Sequence, residues 1–515
     1  MKKNILAIAL ILNCSFIFAQ TEFDAMKFVQ SDIIGTARYM SMAGAFGALG
    51  GDASAIKDNP AGLGIYRSSE MTGTMNIMSQ SSKSTWYSGI GTDQLNKFGF
   101  NSFAYVIANQ NNLGKNNSTG HSSSNWSFSY NRLKDFNRNS TLKGFSQNSS
   151  ITDYMAYFTG NITNNELTAL NGNDPYNNTS IPWISELAYQ GYLINENTTN
   201  GQSSWSSLLG NNEQVVPKYL IQERGYLDEY SIGWASNFDN FLYLGATLNL
   251  KNLSYDLNSQ YSENFGEGGG MTLSNKLSTT GSGFNLNLGA IFQPIDMLRL
   301  GVSVHSPTLM NLTDNNSANL DYYLTSTTNG NTETPTSYNT YSLMTPWKFN
   351  GSVAIIIGNK GLISAEYDYS MDTNTMFLDQ NGNSQSFSDE NTGIKTMLQD
   401  VQTLKIGAEY KLNPTISLRA GFAKTTAGTN PLADKLMRYN TTRTDTEYFI
   451  NNGANYITAG IGYHKNYWYL DIAYVNKTLS ETFYPYNSNN LYYKVNPASV
   501  STITNNLAVT LGVKF

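Results

Sequence analysis

LAVTLGVKF, residues 507–515, alternates without a slip: Leu507, Val509, Leu511, Val513 and Phe515 are large and apolar, while Ala508, Thr510, Gly512 and Lys514 are small or polar. A strict period of two is the signature of a strand with two unlike faces. A run of this kind closing on an aromatic residue is the pattern of a transmembrane strand, apolar toward lipid and polar toward a lumen. Working upstream, the same alternation recurs in runs about long enough for a tilted strand to cross a bilayer. The candidates are 69–78, 98–107, 124–132, 226–236, 241–251, 283–292, 297–305, 347–357, 361–369, 403–412, 415–423, 456–464, 467–475 and 506–515. Leu242, Leu244, Ala246, Leu248 and Leu250 oppose Tyr243, Gly245, Thr247 and Asn249; Leu298, Leu300, Val302 and Val304 oppose Arg299, Gly301 and Ser303.

The connections turn these runs into an architecture. Short turns are expected near Asn237–Asn240, Gln293–Asp296, Gly358–Lys360, Asn413-Pro414 and Lys465-Asn466, and long Asn/Ser/Thr/Gly-rich loops on the other side. Short turns at one end and long loops at the other are the layout of an outer-membrane barrel, with the long loops outside the cell. The expected fold is all-β: an antiparallel transmembrane barrel of about fourteen strands over residues 69–515. The second-to-third connection (108–123) is longer than the pattern wants. The loop 133–225 carries helix-like pieces at Asn165–Leu170 and Ile184–Tyr192, and reads as a lid over the barrel mouth or as a capture surface.

Composition agrees with strands and polar loops. Aromatics are 13% of the chain, with 34 Tyr, and charged residues only 14%. Residues 1–20, MKKNILAIALILNCSFIFAQ, have a basic start, an apolar run and a plausible cleavage region, and read as a removable secretory signal. The sole cysteine, Cys14, lies inside it, and Asn13 before it argues against a lipid anchor, so a mature chain would have neither disulfide nor thiolate metal site. Without Lys2 and Lys3 the balance is 30 basic against 38 acidic residues, a poor match to nucleic acid.

Between leader and first strand, Gly35–Gly64 reads GTARYMSMAGAFGALGGDASAIKDNPAGLG. Its Gly and Ala are too dense for a surface helix and suit backbone packed tightly inside something else. Residues 21–68 are therefore expected to be a plug, or hatch, in the lumen. Its apolar side chains Phe23, Phe28, Ile33, Ile34, Met40, Met42, Phe46 and Leu49 are candidate ligand contacts, and the alternative is that they only pack the plug. Lumen-facing charges include Glu366, Asp368, Arg299, Lys405, Glu409, Arg419 and Asp471; a plug-to-wall network is the default for them, and Arg299 or Arg419 could instead meet a carboxylate.

Asp52-Ala53-Ser54-Ala55 followed by Asn59-Pro60-Ala61-Gly62-Leu63, with Gly35, Arg38-Tyr39, Ser41 and Gly44-Ala45 before it, resembles the N-terminal hatch of the FadL/TodX family of outer-membrane hydrophobic-compound transporters. The resemblance covers about thirty residues in motif and the whole chain in layout, and that family's barrel has fourteen strands. It implies that an apolar ligand, such as a long-chain fatty acid, binds between hatch and wall and leaves sideways through a gap at a kinked early strand. It also implies that Asn59, Pro60 and Ala61 fix the hatch against the wall; the plainer reading is that NPAG only turns the chain into strand one.

Other chemistry is thin. There is no Gly-x-Ser-x-Gly elbow, and Glu366 and Asp368 alone do not make an acid/base pair. His121, His305 and His464 are scattered, so a haem-receptor reading would rest on His305 or tyrosines. Asp379-x-Asn381-x-Asn383 echoes a calcium loop but has Ser384 where Gly is expected. No cofactor or enzymatic activity is called for. The expected partners are outer-membrane lipid and hydrophobic small molecules, with the protein a monomer and the outer loops open to a protein partner. The rival reading is a non-transporting barrel that serves as a docking component of a protein-export machine. An aqueous porin is disfavoured by the apolar plug.

Overall fold

In a computed structural model the described residues are 20–110, 120–145, 147, 149–168, 174–210, 213–266, 268–435, 441–487 and 494–515. The leader reading covers residues 1–20, and all of it but Gln20, Cys14 included, lies outside them.

Fourteen antiparallel strands among the described residues close into a barrel. They are β1 (Glu70–Trp86), β2 (Gly89–Gln110), β3 (His121–Asp135), β4 (Val215–Phe238), β5 (Leu242–Phe265), β6 (Gly270–Ile295), β7 (Leu298–His305), β8 (Lys348–Ile357), β9 (Gly361–Ser370), β10 (Val401–Lys411), β11 (Ile416–Thr425), β12 (Tyr448–Lys465), β13 (Trp468–Tyr484) and β14 (Ala498–Lys514). Each pairs with its sequence neighbours, and β14 returns to β1 through Glu70↔Lys514 to Thr85↔Ser499, which closes the ring. The short turns fall where the alternation places them, and the middle of the 108–123 connection, 111–119, is outside the described residues.

The strands differ from expectation in length. β5 has 24 residues and β6 has 26, far more than a bilayer needs. Their faces explain why. Along β5 the even positions always point outward, but Leu244, Leu248 and Leu250 are followed by Asn252, Ser254, Asp256, Asn258, Gln260 and Ser262. Inward, Thr247 and Asn249 give way to Leu253, Tyr255, Leu257 and Tyr261. β6 makes the same exchange: Phe284, Leu286 and Leu288 face out near the short turns, and Thr272, Ser274, Lys276 and Ser278 farther up. The register never slips; the solvent changes. The lower part is apolar-out and polar-in, as lipid demands, while the upper part is polar-out and apolar-in, as water demands. The nine residues Leu242–Leu250 span roughly 30 Å of strand, or about 23 Å of height at a tilt near 40°, close to the thickness of an outer-membrane apolar band. The segments expected as polar loops are thus largely a barrel tower standing above the membrane.

The tower has its own hydrophobic core, which includes Phe28, Leu142, Tyr219, Tyr255 and Tyr261. Helices of the long insertion cover it: α3 (Ile151–Thr159), the short Asn164–Leu167, and Trp183–Gln190. Two of these overlap the expected pieces, the first does not, and β4 begins at Val215 rather than at 226. Ser150 and Asp153 form a capping box at the start of α3. Glu263, at the tip of β5, accepts from the Ile151 N–H (2.9 Å), the Ser150 hydroxyl and the Tyr261 hydroxyl (2.6 Å). Burial pushes its carboxyl up to about 7, although those donors pull the other way. An acid whose folded pKa is raised favours the folded state most when protonated, so this contact is strongest below about pH 4.5 and weakens up to pH 7. The slope can reach roughly 1.4 kcal/mol per pH unit. Protease cleavage within 145–210 is expected to be faster at pH 8 than at pH 5, and Glu263→Gln is expected to flatten that difference. A wild type cleaved equally at both pH values would refute the assignment.

Candidate functional site

Most of the hatch fills the membrane-level lumen, while its first helix packs into the core of the tower. The hatch comprises α1 (Glu22–Val29), α2 (Ala37–Ser41) and two 3-10 turns, Ala53–Lys57 and Pro60–Ile65. α2 and both 3-10 turns are capped from the sequence: Thr36 accepts from the Tyr39 N–H (3.1 Å), Asp52 from Ser54 (2.9 Å) and Asn59 from Ala61 (3.1 Å), with Pro60 in the first helical position. Asp52 also takes the Thr36 hydroxyl at 2.8 Å, closing the hatch on itself. Gly50 and Gly62 meet backbone to backbone: a Cβ built on Gly50 would lie 2.6 Å from the Gly62 Cα.

Asn59 bonds to both plug and wall. Its Nδ2 donates to the carbonyls of Gly47 in the hatch (2.7 Å) and Ala290 on β6 (3.3 Å). Wall glycines make room for it: a Cβ on Gly289 would lie 1.9 Å from Asn59 Oδ1, and one on Gly245 2.5 Å from the Pro60 carbonyl. The lumen charges form the expected network. Arg38 meets Glu409 (3.0 Å), Arg419 bridges Glu409 (2.7 Å) and Asp471 (2.6 Å), Lys405 meets Glu366 (2.7 Å) and Asp368 (2.6 Å), and the Gly47 N–H donates to Glu366 (2.6 Å).

Above the hatch a cavity of about 390 Å³ lies between α1, the segment Gln30–Ile34 and the wall. Of the residues singled out in the sequence, Phe23, Phe28, Ile33 and Ile34 line it. Met40, Met42, Phe46 and Leu49 do not: they are buried against wall alanines such as Ala354, Ala423, Ala473 and Ala508. Nor do the two arginines. Arg299 donates to the Leu49 carbonyl (2.8 Å) and Gln293 (3.2 Å), and Arg419 is enclosed by its two carboxylates. The cationic groups that do line the cavity are mostly lysines, Lys134, Lys251 and Lys348 among them, which the strand pattern left unremarked because each is one residue on a polar lumen face.

One side of this cavity is a fault in the wall. The β2–β3 ladder runs only from Ser102↔Asn131 to Gln110↔Ser123, so Gly89–Asn101 pair with β1 alone. β2 carries a bulge at Asn101, and β3 one at Leu133, between Arg132 and Lys134. Higher up the seam is covered again, where the Thr141 N–H reaches Asp93 (2.5 Å). Between those points the contacts across it are side chains: the Lys97–Asp135 ion pair (2.9 Å) and the stacked rings of Phe100 and Tyr130 (5.7 Å). Gly99, Phe100, Leu133 and Phe136 line the cavity, and the outward Phe98 and Phe100 lie level with Ile77 and Met75 of the lipid-facing band. β3, with its bulge at Leu133, borders this fault. Its edge is tied to the hatch, because the Asp32 N–H donates to the Leu133 carbonyl (2.8 Å) and Lys134 Nζ to the Lys27 carbonyl (2.9 Å).

A plug and a cavity inside a closed fourteen-stranded wall give the chain the fold of a FadL-like barrel. Solved structures agree on the fold. A FadL homologue of Pseudomonas aeruginosa superimposes with a TM-score of 0.51 over 94% of this chain and 99% of its own, at 11% identity. The toluene transporters TodX of Pseudomonas putida (TM-score 0.49, 12% identity, 95% and 100% covered) and TbuX of Ralstonia pickettii (0.47, 13%, 94% and 99%) align with lower scores. No protein-family model matches the sequence, and no curated protein matches it.

Proposed function

We propose that the protein takes up hydrophobic compounds passively across the outer membrane, long-chain fatty acids being the first to test. The ligand enters from outside, lodges beside α1 and leaves sideways through the β2–β3 fault into the lipid. The observation that carries this reading is the continuity of the cavity with an unladdered stretch of wall at the height of the apolar belt. Burial supplies the affinity, at about 0.8 kcal/mol per methylene, and no energy source is needed. In this scheme Asn59, Pro60 and Ala61 seat the hatch, Phe23, Phe28 and Ile34 form the ligand surface, and Met40, Met42, Phe46 and Leu49 hold the plug. The named relatives of known cargo carry toluene, which fits the same class.

The docking-component reading predicts a lumen packed shut, and the cavity favours transport over it. A haem receptor would want a free His305, whose Nε2 is engaged by the Asp58 carbonyl (2.9 Å).

The direct test is titration of the detergent-solubilised barrel with a fluorescent long-chain fatty acid. Saturable binding is expected, weakened about tenfold or more by Ile34→Asp, which buries an unpaired charge in the cavity. Wild-type signal no greater than micelle background would end the transport reading and turn attention to a protein partner on the loops.

A further inference from the structure

We infer that the cavity contains a head-group site on β5–β8, fitted to an amphiphile whose polar end is an acid with a neighbouring hydroxyl or amide N–H. The inference rests on the uptake reading and narrows its substrate, setting this barrel apart from one that passes bare hydrocarbon.

The site is made by Lys251 on β5, Asn285 on β6, His305 on β7 and Lys348 on β8. The registers Asn249↔Asn285, Asn287↔His305 and His305↔Lys348 put the four on one lumen face as direct or diagonal neighbours, and all four line the cavity. An ammonium has three N–H donors. Lys251 uses one on Thr308 Oγ1 (3.0 Å) and Lys348 one on the Val29 carbonyl (2.9 Å). Among the described residues neither forms an ion pair. Asn285 gives its amide N–H to Asn287 Oδ1 (2.7 Å), while its own Oδ1 has no donor, although the residue is only 4% exposed. Other charges face the site: Glu229 stands opposite Lys251 on β4, Lys57 and Asp58 approach from the hatch, and Asp372 lies in the loop after β9.

Half-buried ammonium groups with open donors, beside a buried carboxamide oxygen with none, offer a polar ligand partners that the protein leaves unused. A carboxylate set between Lys251 and Lys348 takes the free N–H groups of both. A donor a few atoms away on the same molecule then reaches Asn285 Oδ1. The hatch segment Phe28–Ile34, whose Val29 carbonyl already touches Lys348, offers its apolar side chains to the tail. A fatty acid satisfies the two lysines only; a hydroxy acid or an N-acyl amino acid satisfies the asparagine as well.

The test is displacement of the neutral probe N-phenylnaphthylamine from the purified full-length barrel by three twelve-carbon ligands: dodecane, laurate and N-lauroylglycine. Laurate is expected to bind about tenfold tighter than dodecane, the worth of a charge-assisted hydrogen bond. N-lauroylglycine is expected to bind tighter still. Lys251→Met should bring both acids to the level of dodecane; Lys348→Met serves if the first variant does not fold. Asn285→Leu should erase the difference between the two acids. Equal binding of laurate and dodecane by wild type would overturn the head-group site and leave the uptake reading standing. Acids that outbind dodecane but ignore Asn285→Leu would overturn the donor-bearing head. If no ligand displaces the probe, the uptake reading falls and this inference with it.

Discussion

Leu248→Arg is expected to destabilise the barrel by about 2–4 kcal/mol, the usual cost of a guanidinium on the lipid face at mid-membrane. Gln260→Arg is expected to change stability by no more than about 0.5 kcal/mol. The two positions lie on the same strand and point the same way, and both are exposed. Only the surroundings differ: Leu248 belongs to the apolar run and Gln260 to the polar tower. The pair Leu286→Arg and Ser274→Arg repeats the contrast on β6. Urea titration of the barrel refolded into vesicles, followed by heat-modifiable electrophoretic mobility, measures each cost. Equal losses at Leu248 and Gln260 would mean that the membrane edge does not lie near Lys251, and the tower would have to be redrawn as buried wall.

That contrast also shows what the sequence can and cannot yield. Strand identity in the membrane half was legible because lipid imposes one rule on every outward position, so Leu244, Leu248 and Leu250 stand out against Thr247 and Asn249. The tower obeys the opposite rule on the same parity. Read as one pattern, β5 loses its apolar face at Lys251 and looks like the start of a loop, although Leu253, Tyr255, Leu257 and Tyr261 resume the alternation on the other face. A search for alternation in either phase would have found the full strand. Helix α3 was missed for a narrower reason: the Ser150–Asp153 box was its signal, but the polar stretch around it hid the start. At the site, the hatch was legible from its small residues, because only Gly and Ala permit the approach of Gly50 to Gly62. Which apolar hatch residues face the cavity was not, because Phe28 and Phe46 are chemically alike and only the wall tells them apart. The fault between β2 and β3 is a register event, and a single Asn101 bulge leaves the alternation on either side looking ordinary.

Gly289→Val is expected to unseat the NPA end of the hatch while leaving the barrel closed. Only 1.9 Å separates the place of a Cβ at 289 from Asn59 Oδ1, and 3.0 Å from Pro60 Cδ, so the side chain fits only if Asn59 withdraws. Withdrawal breaks the bonds from Asn59 Nδ2 to Gly47 and Ala290. Overpacking costs about 1–3 kcal/mol and the two hydrogen bonds about 1 kcal/mol each, on the order of 3–5 kcal/mol against the seated state. The wall strands keep their ladders, since Gly289 pairs with Gly245 and Ser303 through backbone alone. The predicted phenotype is a barrel of normal heat-modifiable mobility whose residues 36–66 become open to protease and whose conductance in a planar bilayer rises. Gly351→Ala is the control, because a Cβ there meets nothing within 4 Å. Asn59→Leu attacks the same contact from the hatch side and should raise conductance in the same direction, by less, because it removes the bonds without forcing the turn outward. If Gly289→Val kept residues 36–66 as protected as wild type does, the plug's other wall contacts, among them Arg38 with Glu409, the Gly47 N–H with Glu366 and Arg299 with the Leu49 carbonyl, would suffice to seat it, and the NPA turn would be no more than the chain's route into β1.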